Sequence, residues 1–230
     1  MFAQLSLAQK ILFWVFIGLF AVCAIFHLVV SFQEKARLRR ISKPFLLLFL
    51  GAAIAAIAPK QYLIYLGAFF GFLGDTLLIK KTKKFLLAGL VSFFLGHLCY
   101  IATLIVLFVQ KDILPYWAYI MIGAAYIVGV ILLYFPMRDV TNKNKVLGFG
   151  GGVYLTTLLT LLACSILGLA LEVSDYLALA LVGTVLFIGS DALLVFTLFR
   201  HEVKRKDFYI MLTYLLAEMG LLFGLALSSF

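Results

Sequence analysis

Long apolar runs, each ended by a short basic segment, constrain this chain more than any other feature. Nearly uncharged stretches recur from Leu7 to the C-terminus, and about 20 such residues carry an α-helix across the roughly 30 Å hydrocarbon layer of a bilayer. A backbone inside lipid must satisfy its own hydrogen bonds, so runs of this length are read as spanning helices. The pattern predicts helices over 7–32, 44–58, 62–79, 85–109, 115–135, 146–170, 176–199 and 208–228. With 65% hydrophobic and 13% charged residues, the 230-residue chain has no room for a soluble domain. Residues 1–230 are therefore expected to form one transmembrane domain, an all-α polytopic membrane bundle of eight transmembrane helices.

Punctuation and charge support that count. Pro44 and Pro115 fall near predicted helix starts, and Pro59 and Pro136 just after helix ends, where proline's missing N–H does least harm. The loops after the first, third, fifth and seventh helices hold 16 of the 19 basic residues, among them Lys35, Arg39, Lys81, Lys143, Arg200 and Arg205. Only Lys10, Lys60 and Lys111 lie on the other side. Basic loops stay in the cytosol, so both termini are expected to be non-cytoplasmic. The net charge of +9 is thus a topology signal beside anionic head groups, not a nucleic-acid footprint. The first apolar run has little positive charge before it and a strongly basic stretch after it, which fits an uncleaved span better than a signal peptide. Compactness and the lack of tails or sorting signals favour a bacterial inner membrane over the endoplasmic reticulum. Cys23, Cys99 and Cys164 all lie in apolar stretches and are read as small core residues.

One internal echo stands out. Phe72-Leu73-Gly74-Asp75-Thr76-Leu77-Leu78 resembles Phe187-Ile188-Gly189-Ser190-Asp191-Ala192-Leu193-Leu194 with one insertion. The two runs lie about half the chain apart, as a parallel repeat of four helices plus four would place them. Chance similarity between apolar helices is the other explanation.

Seven of the ten acidic residues (Glu34, Asp112, Asp139, Glu172, Asp175, Glu202, Asp207) sit in loops or at helix edges. Asp75, Asp191 and Glu218 lie within spans, where an ionisable group costs a few kcal/mol or more and usually has a task. Counted from the cytoplasmic helix ends, Asp75 lies roughly 6 Å deep, Asp191 and Glu218 roughly 12–15 Å, and His97 roughly 18 Å. Tyr126, Tyr154 and Tyr214 fall at roughly 9–14 Å by the same count. These depths predict one polar cavity open toward the inner leaflet. Small-residue stripes (Gly67, Gly71, Gly74; Gly89, Ser92, Gly96) and the Gly148–Gly152 cluster should face other helices, either as cavity wall or as tight packing. His97 with the three acids is also a conceivable metal donor set. No HxxxH or HxxE pattern supports it, and neither a metal nor another cofactor is expected.

Ser42-Lys43-Pro44, Gly74-Asp75-x-x-Leu78, Gly96-His97-x-x-Tyr100, Gly189-Ser190-Asp191-x-Leu193-Leu194 and Thr213-Tyr214-x-x-Ala217, in this order, resemble the YhhN-like lysoplasmalogenase family. One departure is Glu218, where glutamine is expected. The resemblance implies an enzyme that hydrolyses the vinyl ether bond of lysoplasmalogens, releasing a fatty aldehyde and glycerophosphoethanolamine or glycerophosphocholine. Its partners would be that lysophospholipid and membrane lipids. A vinyl ether is hydrolysed by protonation at its β-carbon, which creates an oxocarbenium ion that water captures. One protonated and one ionised carboxylate suit that chemistry. Asp75 and Asp191 are the expected pair, with the deeper Asp191 as acid and Asp75 as base. His97 and Tyr100 would orient a carboxylate or the water, alongside Tyr126, Tyr154, Ser190 and Tyr214. Lys43 has two readings, a holder of the lipid phosphate or a snorkelling, topology-setting lysine. Glu218 is expected to meet the head-group ammonium or to pair with Tyr214.

Two rival readings exist. An intramembrane aspartyl protease would need glycine at Phe72 and a Pro-Ala-Leu segment that is absent. A proton-coupled carrier or non-catalytic lipid binder would also use buried acids, though no predicted span is broken by a central proline.

Overall fold

The computed structural model describes residues 5–80, 82–108, 116–199 and 203–229. Lys81, Lys111, Asp112, Pro115, Arg200 and Glu202 lie outside them, as do the side chains of Pro136 and Asp139. Among the described residues there are eight helices: α1 (Leu7–Phe32), α2 (Ala36–Ile57), α3 (Tyr62–Leu77), α4 (Lys83–Phe108), α5 (Tyr116–Lys143), α6 (Lys145–Ala170), α7 (Leu177–Phe199) and α8 (Lys206–Ser228). Among the described residues, six of them (α1, α2, α4, α6, α7 and α8) are long and apolar enough to cross a membrane; α3 is shorter, and the described apolar stretch of α5 is Tyr116–Ile131.

Two helices differ from the sequence reading. α2 begins at Ala36, not 44, so Pro44 lies inside it. The residues before the proline, Ala36-Arg37-Leu38-Arg39-Arg40, are good helix formers, and tertiary contacts hold this extension in place. The Arg39 guanidinium pairs with Asp207 at the start of α8. α5 likewise runs on to Lys143, through Pro136, instead of ending at 135. In each case the proline is carried within a longer helix. Neither marks a helix boundary.

Each helix packs on its hairpin partner: α1 on α2, α3 on α4, α5 on α6, and α7 on α8. α8 also touches α1, α2, α3 and α4, which makes it the inner post of the bundle. Lipid tails are as apolar as leucine, so close packing and hydrogen bonds must hold such helices together. Small residues bring the backbones into contact. A Cβ on Gly183 would lie 2.6 Å from the Leu221 amide nitrogen, and one on Gly220 would lie 2.8 Å from the Leu179 carbonyl oxygen. Between α3 and α4, a Cβ on Gly96 would lie 3.0 Å from the Gly67 carbonyl oxygen. Gly67 and Gly74 make space for the rings of Tyr100 and Phe93. The Gly67–Gly74 and Gly89–Gly96 stripes pack helices, whereas Gly151 of the Gly148–Gly152 cluster lines the cavity described below.

Polar clasps reinforce the seams. The Ser92 hydroxyl donates to the Phe70 carbonyl at 2.6 Å, and the Ser190 hydroxyl to the Ile210 carbonyl at 3.0 Å. At the turns, Glu34 and Arg205 both adopt left-handed backbone, φ 56° and 57°, which costs a non-glycine residue roughly 1–3 kcal/mol. They hold each other there. The Arg205 amide donates to Glu34 Oε1 at 3.3 Å while its guanidinium lies 3.8 Å over the Phe32 ring. The three cysteines are unpaired.

Candidate active site

Five helices deliver polar side chains to one place. Lys43 comes from the basic first part of α2, Asp75 from the last turn of α3, Tyr154 from α6, Ser190 and Asp191 from α7, and Tyr214 from α8. Asp75 is sealed from outside, with 1% exposure. Its Oδ1 lies 3.0 Å from the Lys43 ammonium, and its Oδ2 accepts from the Tyr214 hydroxyl at 2.9 Å. Asp191 is partly buried, and its Oδ2 accepts from the Tyr154 hydroxyl at 2.7 Å. Each aspartate thus has its own tyrosine, on a helix other than its own. Of these two aspartates, Asp75 also has an ion pair, with Lys43.

These groups line a cavity of about 160 Å³. Apart from the six polar side chains just named, its wall is apolar, including Phe93, Leu158, Phe187 and Met211. It lies at the bundle end that carries the α3–α4, α5–α6 and α7–α8 connections. Charges in such a space are poorly screened, so pairing and hydrogen bonding decide where each proton sits. Two carboxylates facing one largely apolar cavity can give up a proton, take one back and stabilise a cation between them.

The polar end of the bundle matches the depth count, but the order of enclosure does not. Asp75, near its helix end, is the sealed carboxylate and Asp191 the more open one. Enclosure here is set sideways, by Lys43 and Tyr214 closing over Asp75. Depth along the helix axis does not measure it.

Several expected site residues lie elsewhere. Glu218 is buried and accepts from the Tyr100 hydroxyl at 3.3 Å, away from the cavity lining. Tyr214, one of the two partners considered for Glu218, donates to Asp75 instead. Tyr100 therefore orients Glu218 and neither aspartate. His97 Nδ1 donates to the Phe93 carbonyl at 2.7 Å, and its ring packs edge-on to Phe187 at 4.5 Å and Tyr154 at 5.6 Å. It stands behind Tyr154, outside the lining. Tyr126 bonds to Thr160 at 2.7 Å, joining α5 to α6 and taking no part in the cavity. Lys43 turns its ammonium to Asp75, a role the sequence reading did not give it. Among the described residues, no three His, Cys, Asp or Glu side chains gather closely enough to hold a metal ion.

What sequence reasoning missed is the apolar wall. Phe93, Phe187 and Met211 carry no mark separating them from lipid-facing neighbours. The small-residue spacing beside them was the only available signal.

The structure defines an α-helical integral membrane protein with two carboxylates in a cavity inside its bundle. The chain belongs to the YhhN family, whose sequence model matches residues 38–225. No curated protein and no solved structure matches it.

Proposed function

We propose that the cavity hydrolyses the vinyl ether bond of a lysoplasmalogen, releasing a fatty aldehyde and a glycerophospho-ethanolamine or -choline. The observation that carries this reading is the pair of aspartates, from α3 and α7, on the wall of one otherwise apolar cavity. Family membership is consistent with it.

Asp191 has no cation against it among the described residues, so it is the acid. Its carboxyl proton goes to the β-carbon, and the double-bond electrons form the new C–H bond. Positive charge is left on the α-carbon and the ether oxygen. Asp75, held as a carboxylate by Lys43, faces that charge and takes a proton from the water that adds to the α-carbon. In the hemiacetal, the new hydroxyl proton returns to Asp191 while Asp75 gives its proton to the departing glycerol oxygen. Both carboxyl groups are then reset. Tyr154 and Tyr214 hold the two carboxylates in place, and the apolar wall accepts the alkenyl chain. Lys43 keeps N–H donors for a phosphate oxygen at the mouth.

In this reading the bundle is one domain of eight spans, with α3 and α5 completing the other six helices. Both termini are non-cytoplasmic, and the basic connections and cavity face the cytosol across a bacterial inner membrane. The Gly-Asp and Gly-Ser-Asp runs are the matching parts of two four-helix halves. Purified protein in micelles, incubated with a lysoplasmalogen, is expected to release aldehyde, and Asp191→Asn to release almost none. Lack of release by the unaltered protein, with lipid still bound, would favour a lipid carrier instead.

A further inference from the structure

A second buried polar cluster lies outside the cavity, where α1 packs on α2. His27 is fully enclosed, and its Nδ1 lies 2.7 Å from the Ser42 hydroxyl oxygen. That hydroxyl has one hydrogen, and the Leu38 and Arg39 carbonyl oxygens lie 3.1 and 3.3 Å away as its acceptors. His27 Nδ1 is therefore the donor to Ser42. One turn earlier on α1, the Cys23 thiol donates to the Ser42 carbonyl oxygen at 3.6 Å. Two side chains of α1 thus grip one residue of α2, by its hydroxyl and its carbonyl.

The next residue is Lys43, whose ammonium meets Asp75. Pro44 follows. A proline within a helix removes the hydrogen bond to the carbonyl four residues back and loosens the ladder at that turn. The backbone at Lys43 is therefore held partly by α1 and not by α2 alone. α1 itself ends before residue 38, where the family match begins, so this grip comes from outside the matched part of the chain.

We infer that His27 is a positioning residue for the Lys43–Asp75 ion pair. Through Ser42 it fixes the rotational setting of the α2 turn from which Lys43 reaches the cavity. The ion pair stands whatever the cavity does; only the turnover arm of the test rests on the hydrolase reading.

The test uses the full chain in detergent micelles with the variants His27→Leu, His27→Asn, Ser42→Ala and the double His27→Leu/Ser42→Ala. Asparagine places an N–H close to where Nδ1 stood. The first readout is the rate at which an amine-acylating reagent modifies Lys43, followed by peptide mass spectrometry. Loss of the grip, one buried hydrogen bond, is expected to raise that rate about tenfold in His27→Leu and in Ser42→Ala. His27→Asn should stay near the unaltered rate, and the double variant should be no faster than either single one. The second readout is aldehyde release, where kcat should fall about tenfold in the same variants with KM nearly unchanged. Lys43 labelling that His27→Leu and Ser42→Ala leave unchanged would overturn the inference. So would single effects that multiply in the double variant. Should His27→Leu fail to fold, Ser42→Ala against the unaltered protein decides alone. If the unaltered protein releases no aldehyde, the hydrolase reading falls while the labelling still judges the role of His27.

Discussion

Replacing Lys43 with methionine is the most informative single change to the cavity. Methionine keeps the apolar stem and deletes the charge. Asp75 is 1% exposed, whereas the Lys43 side chain is 21% exposed, so without the ammonium the buried carboxylate keeps only the Tyr214 hydroxyl as a partner. Breaking a buried pair by removing one partner costs about 3–5 kcal/mol, and the partial exposure of the lysine puts this case near about 3. For a chain of this size that corresponds to a fall of roughly 6–12 °C in Tm. Asp75→Asn should cost less, about 1 kcal/mol, because the stranded ammonium can reach solvent. The double variant Lys43→Met/Asp75→Asn buries a neutral amide still bonded to Tyr214 and should lie within about 1 kcal/mol of the starting protein. Thermal unfolding of all four proteins in one detergent, followed by circular dichroism, completes the cycle. If the two single losses simply add in the double variant, within about 0.5 kcal/mol, the ion pair is not a coupled unit and the argument fails. Aldehyde release should be lost in all three variants, including the restabilised double one.

Four further outcomes are expected. Asp191→Asn should reduce aldehyde release by about 10²–10⁴-fold, the range for loss of a general acid, with the helical circular dichroism unchanged. Tyr154→Phe removes the hydroxyl 2.7 Å from Asp191 and should lower kcat about tenfold, so equal kcat in the two proteins refutes the brace. Gly183→Ala sets a methyl group against the Leu221 amide and should destabilise by about 1–3 kcal/mol in a detergent melt, as overpacking does elsewhere. Tyr126→Phe should leave turnover unaltered and cost only about 0.6 kcal/mol, because its bond to Thr160 lies away from the cavity and such links in membranes are weak.

Sequence read the fold well wherever hydropathy and turns agree. α1, α6, α7 and α8 fall within two residues of their expected limits, because apolar runs ending in charge or a Glu172-type turn leave little choice. Proline signals a helix boundary, yet Pro44 and Pro136 both lie inside longer helices. A single local rule cannot register that Asp207, Ser42 and α1 hold the α2 extension from other parts of the chain. The site was legible as a set of residue types, since carboxylates within apolar runs announce themselves by their cost. Its pairings were not. Tyr214 lies one turn from Glu218 on α8, which suggested the wrong partner, while the Asp75 it serves is 139 residues away in sequence. The place of Lys43 among other basic residues leaves a phosphate holder and a snorkelling lysine both open, and neither reading points to the contact its ammonium makes with the sealed carboxylate on α3.

The glycine contact between α7 and α8 has a mechanical meaning for the cavity. With Gly183 and Gly220 bringing two backbones together, those helices cannot part without losing the whole seam, nor rotate without collision. Asp191 and Tyr214 therefore belong to one stiff wall. The opposite wall is made of side chains from α4, α5 and α6, such as Leu90, Val140 and Leu147, which can change rotamer without moving a helix. The cavity is thus bounded by one hard side and one compliant side.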